Sequence, residues 1–155
     1  DVAVKTIEDY EKVYLADAKD IIYSEDGDGI TSSFGGINEY GYNCVQSSLS
    51  ISSNSEGNIE NIYMNMYDVN MGTDEYRYHI NGFLKYVDSL NTRNPGTTEY
   101  SDIIRKSIET AANTNFMFDE EFFIIDNEDI IVKFTTPCFG SEGYALDLYI
   151  TNMEF

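Results

Sequence analysis

The chain has 155 residues, 42% of them apolar, with 13 Tyr, no Trp and 2 Pro, enough for one ordinary domain or two small fused lobes around a real core. Its 28 Asp and Glu outweigh 9 Lys and Arg, for a net charge of −19. Such a balance repels nucleic-acid backbones and anionic membrane surfaces, which argues against a conventional DNA or RNA binder. No apolar run approaches the roughly 18 residues of a membrane span, and nothing resembles a signal peptide.

The first residues read as a helix already under way, because Asp1 is neither an initiator Met nor preceded by a cap. That suggests a processed or shortened chain. From Val2 to Ile22 the apolar positions Ala3, Ile7, Tyr10, Tyr14, Ala18 and Ile21 recur at three- and four-residue steps, predicting a single helix with one buried face. Lys5, Lys12 and Lys19 are spaced by sevens and would form a stripe on the opposite side. Glu8 precedes Lys12 by one turn, the favourable order for a surface ion pair.

Ser24-Glu25-Asp26-Gly27-Asp28-Gly29 is a turn-forming cluster that must end this helix. Residues 30–41 read as an irregular loop holding a short strand near Ile30–Phe34. Strands are expected at about 43–53 and 58–69, the second alternating Ile62, Met64 and Met66 against Asn61 and Asn65. Gly72-Thr73-Asp74-Glu75 opens a second helix with Ile80, Phe83, Leu84, Val87 and Leu90 on its apolar face, broken by Asn94-Pro95-Gly96. A third helix starts at Thr98-Glu99 and shows Tyr100, Ile103, Ile104, Ile108, Ala111 and Ala112 on one side. Strands at 121–125, 130–136 and 144–152 complete the chain, the first two joined by a turn at Asp126-Asn127-Glu128-Asp129.

The two halves echo each other. Ser55-Glu56-Gly57-Asn58-Ile59-Glu60-Asn61-Ile62-Tyr63 returns as Ser141-Glu142-Gly143-Tyr144-Ala145-Leu146-Asp147-Leu148-Tyr149. The preceding stretches, Val45 to Ile51 and Ile131 to Pro137, match in character. Internal self-similarity is read before any motif because it constrains the whole fold. The expectation is an α+β protein in which a helix plus antiparallel meander (residues 1–72) is followed by a second lobe of two helices and a meander (residues 73–155). The hairpins 45–63 and 131–149 are expected to superpose.

Chemistry is harder to find. The single histidine, His79, falls near the start of the second helix as a surface or boundary imidazole, with no nucleophile elbow or flanking cysteine motif. Asp26 and Asp28 alternate with glycines as a calcium loop would. Counting from Asp26, though, the closing twelfth position is Ile37, so a plain acidic turn is expected. Cys44, His79 and Cys138 lack the paired spacing of a structural zinc site. Carboxylates such as Asp119, Glu120 and Glu121 are too plentiful to mark an acid/base pair without geometry. Met64, Met66 and Met71 read as sheet filling. No phosphate-binding glycine loop is present, so neither a cofactor nor a catalytic set is expected.

Cys44 and Cys138, 94 positions apart, would tie lobe to lobe if oxidised, a constraint worth about 4–5 kcal/mol in the chain-entropy model. Buried free thiols are the alternative.

A helix starting abruptly, then a polar loop and an antiparallel meander, resembles the soluble part of a type IV pilin, some Gram-positive members of which carry a second pilin-like lobe. The cleavage site and apolar stem that diagnose the family are not in this sequence, so no functional residue carries over. The resemblance implies a non-enzymatic, extracellular structural or adhesive subunit of a bacterial surface fibre. Lys5, Lys12 and Lys19 of one subunit would meet the acidic stretch of the next, since Asp20 to Glu75 carries no Lys or Arg; such head-to-tail contacts make filaments. The alternative role is a small acidic inhibitor or immunity-type protein that covers a basic site on a partner. It would gather its carboxylates on one face among aromatic anchors.

Overall fold

The computed structural model describes residues 3–18, 20–37, 40–41, 43–66, 78–113, 122–126, 130–135 and 144–150. In chain order the elements are α1 (Ile7–Tyr14), β1 (Ile21–Tyr23), β2 (Gly29–Ile37), β3 (Asn43–Ser53), β4 (Ile59–Met66), α2 (Tyr78–Ser89), α3 (Glu99–Asn113), β5 (Phe122–Asp126), β6 (Ile130–Thr135) and β7 (Tyr144–Ile150). All seven strands join one antiparallel sheet in the order β1-β2-β3-β4-β7-β6-β5. The α+β class expected from the sequence is therefore what the chain adopts. No described helix is long and apolar enough to cross a membrane.

The first helix is shorter than its periodicity predicts. Thr6 starts it with a capping box: its Oγ1 accepts from Asp9 N at 3.2 Å, and Thr6 N donates to Asp9 Oδ2 at 3.4 Å. The Thr6 hydroxyl holds the Asp9 carboxyl below its usual range. Upstream the chain is extended, with Ile59 N donating to Lys5 O and Thr6 bridging Asn58. The helix stops at Leu15 after eight residues. Ile21, counted on the helical face, instead opens a strand, because the run Ile21-Ile22-Tyr23 ahead of a tight turn favours extended backbone over a sixth helical turn.

The stretch read as an irregular loop is likewise a strand. β2 runs nine residues from Gly29 and pairs with β3 along its length, with a bulge at Phe34/Gly35. Its Ser and Gly content hid it, since one face of this strand is polar and its hydrogen bonds depend on the neighbours.

One face of the sheet carries the core. Ile30, Leu49, Ile51, Ile62, Met64 and Leu148 point inward to Tyr10 and Leu15 from the first helix region, to Phe83, Leu84, Tyr86 and Val87 of α2, and to Tyr100 and Ile104 of α3. Each fully buried aliphatic side chain contributes about 1.5–3 kcal/mol over leaving it in water. A second bulge at Ser52/Ser53 leaves Glu60 unmatched, so both Ile59 and Ile62 reach the core from one strand. α1 and α2 meet closely at Gly82, where a Cβ would come 3.0 Å from Tyr14 Cβ. Tyr10, Tyr14 and Tyr86 interlock there at centroid distances of 4.9, 5.4 and 6.3 Å. Burial pushes the Tyr10 and Tyr86 phenols up. Asp17 N donates to Tyr78 Oη at 2.9 Å, tying the stretch after α1 to the start of α2.

The two halves meet in the middle of the sheet. β4 pairs with β7 in the register Asn61↔Tyr149, Ile62↔Leu148 and Tyr63↔Asp147. The strands thus lie in one sheet, and a boundary at 72/73 falls across its continuous centre. Ile62 and Leu148, matching positions of the echo, stand directly opposite each other. The matching Asn61 and Asp147 touch, Asn61 Nδ2 donating to Asp147 Oδ1 at 2.8 Å and to Leu148 O at 3.0 Å. The upstream match does not hold: Ile51 pairs with Ile62, whereas Val132, not Pro137, pairs with Leu148. The connections differ in length, residues 54–58 against 136–143, so a constant sequence offset cannot carry across both turns. Ser141, Glu142 and Gly143 of the echo lie outside the described residues.

Candidate functional site

At one end of the sheet the turns after β1 and β3 lie side by side. In the first, Ser24 Oγ accepts from Gly29 N at 2.9 Å and donates to Asp28 Oδ1 at 2.8 Å, while Gly27, at φ 73°, donates to Ser24 O. This wiring closes Ser24 to Gly29 as the turn predicted from the sequence. In the second, Asn54 Oδ1 accepts from Glu56 N and Asn58 N, both at 3.0 Å. Ser53 N donates to Asp28 O at 2.8 Å, which holds the two turns together. Glu25, Asp26, Asp28 and Glu56 all reach solvent at this end.

Beside them runs β1, the terminal strand of the sheet. Ile22 is 71% exposed and Tyr23 61%, large values for apolar side chains on a strand. Tyr23 Oη donates to Glu11 Oε2 at 2.8 Å, so α1 contributes a further carboxylate to the same edge, and that bond raises the Tyr23 phenol. A shallow groove of about 240 Å³ runs from Ile22 and Tyr23 across Gly29 and Thr31 to Ser50, Ser52 and Asn61. Gly29 keeps its floor open, as a Cβ there would come 3.1 Å from Ile51 O. The arrangement brings together carboxylates, two protruding side chains and a strand whose outer edge no other described strand covers.

The residues singled out by sequence do not converge on this edge. Lys5 precedes the Thr6 cap and so is not on the helix, Lys12 is on α1, and Lys19 lies outside the described residues. The three therefore do not form the helical stripe that sevenfold spacing implied. Lys12 makes the expected pair with Glu8, 2.9 Å apart and exposed at both ends, which raises the Lys12 ammonium; such a solvent-screened pair adds little to stability.

His79 corrects another expectation. It occupies the second position of α2, yet it is only 1% exposed, and its Nε2 lies 3.3 Å from Oγ of the buried Ser32. Burial pulls its pKa down to about 4. The α2 face that carries Phe83 and Val87 turns this imidazole into the core as well. Cys44 lies on β3 opposite Gly36. Cys138, Met71, Asp119, Glu120 and Glu121 lie outside the described residues. Among the described residues, no three His, Cys, Asp or Glu side chains are grouped to hold a metal ion.

Sequence reading missed the β1 edge because Ile21 satisfied a helical period. The signal was present: three strand-forming residues directly before a Ser-Glu-Asp-Gly turn mark the first arm of a hairpin. Comparison with known protein families, with curated proteins and with solved structures finds no match.

Proposed function

We propose that this chain is a non-enzymatic binding protein that presents the β1 edge and its acidic turns to a basic site on a partner protein, the role of a small inhibitor or immunity-type protein. The observation that carries this reading is the exposed Ile22 and Tyr23 of β1, with Glu11 bonded to Tyr23, exposed Glu25, Asp26 and Asp28 in the turn that follows, and exposed Glu56 in the turn tied to it. From Asp20 to Glu75, which includes β1 and both turns, the chain carries no Lys or Arg. Rim carboxylates speed encounter with a basic surface, while apolar anchors set the lifetime of the complex. The assembly face proposed for a fibre subunit, a lysine stripe along α1, is not formed, since Lys5 precedes the helix. We also read the two halves as repeats related by a local two-fold axis through the Ile62–Leu148 pair, on the support of the β4–β7 register and the Asn61–Asp147 bond.

The test uses the full chain with a photo-crosslinking residue in place of Ile22. A partner crosslinked there should be basic at the contact and should bind more weakly as salt rises. The variant Glu25→Gln/Asp26→Asn/Asp28→Asn should slow its association about tenfold. A partner that binds the neutralised variant equally fast, or crosslinks through an acidic surface, would remove the reading.

A further inference from the structure

The β1 backbone has one side open. Ser24 N donates to Gly29 O at 2.9 Å and Ser33 N to Asp20 O at 3.4 Å, so Asp20, Ile22 and Ser24 are the residues turned toward β2. Ile21 and Tyr23 alternate with them and turn their N–H and C=O groups outward, past the last strand of the sheet. Among the described residues nothing hydrogen-bonds to those four groups. A row of unpaired donors and acceptors beside exposed side chains is a template for another strand.

We propose that the partner is captured by strand addition: an extended segment alternating Lys or Arg with apolar residues pairs with β1 and lengthens the sheet. The inference rests on the acidic-binder reading and deepens it. Side chains of an added strand emerge alternately on the two faces. The one opposite Ile22 lies on the outer face, beside the apolar end of the groove. Those opposite Ile21 and Tyr23 emerge on the helix side, where Glu11 holds the Tyr23 hydroxyl. The pattern basic–apolar–basic matches these surroundings. A second copy of this chain fits poorly, because each copy carries a net charge of −19 and the two would repel. The strand is only three residues long, and its flanking carboxylates discourage neutral and acidic strands, which leaves a basic one as the favoured addition.

The experiment titrates the isotopically labelled full chain at low salt with a six-residue peptide of alternating Lys and Val, and follows amide hydrogen exchange. The Ile21 and Tyr23 amides should slow about tenfold on saturation, with the Ile22 amide, already turned toward β2, changing little. Tyr23→Pro deletes an outward N–H without touching the β1–β2 ladder and should weaken binding about tenfold, whereas Tyr23→Ala, which keeps that N–H, should lose much less. Salt-sensitive peptide binding with unchanged exchange at Ile21 and Tyr23 would overturn strand addition while leaving the acidic-binder reading intact. Failure of the peptide to bind, when the crosslinked partner still depends on the three carboxylates, would also overturn strand addition alone. Self-association abolished by Tyr23→Pro would make a second copy the occupant and overturn the proposal too.

Discussion

The β4–β7 seam and the free edge of β1 are made of similar residues and end in opposite states. Each carries isoleucine flanked by tyrosine, and each presents a row of backbone donors and acceptors to whatever lies alongside. At the seam another strand of the same chain meets that row, and Ile62 and Leu148 vanish from solvent. At the edge no described strand arrives, and Ile22 and Tyr23 remain in water. Composition alone therefore does not decide which strand is core and which stays exposed; the neighbour does.

The sharpest way to break this comparison is to truncate both sides of it. Ile62→Ala should lower unfolding free energy by about 3 kcal/mol, since Ile62 is fully buried in the core between β3 and β7. Urea denaturation reads this directly, and a loss below about 1 kcal/mol would mean the seam is looser than drawn. Nearly as large an effect comes from His79, beneath β2. With an unfolded value near 6.5 and a folded value near 4, both states are neutral above pH 6.5 and stability is complete. As pH falls below 6.5 the unfolded chain takes up a proton that the folded chain refuses. Stability should drop by about 3 kcal/mol by pH 4, below which the folded state protonates as well. His79→Gln should flatten that slope between pH 6.5 and 4.5, where few carboxylates interfere.

A smaller effect tests the seam's polar contact. Asn61→Asp would set a carboxylate against Asp147 at hydrogen-bond distance and should cost about 1–2 kcal/mol at pH 7, recovering on acidification. Ile22→Ala marks the other end of the scale. It should change stability by less than about 0.5 kcal/mol, while weakening whatever binds the edge.

Much of the architecture was legible in the sequence for physical reasons. The apolar face of α2, the Asn94-Pro95-Gly96 break and the alternation of Ile62 and Met64 follow from side-chain periodicity, and periodicity survives without knowledge of neighbours. Turn chemistry was equally direct: Ser24 to Gly29 and Asn54 to Asn58 close as their side chains dictate. What failed depended on tertiary context. Thr6 caps a helix that Ala3 would otherwise extend, because residues upstream are held to Asn58 and Ile59. β2 is a strand because β1 and β3 flank it, a fact absent from its own serines and glycines. The candidate edge was invisible for the same reason, since openness is a property of the sheet and not of Ile21, Ile22 or Tyr23. Burial of His79 also needed the sheet, as Ser32 comes to it from 47 positions away.

The bond between Asn61 and Asp147 has a consequence beyond its strength. Asn61 and Asp147 are unlike side chains from distant parts of the sequence, and one covalent chain carries both. The joint forms at any dilution, because neither half has to find the other by diffusion.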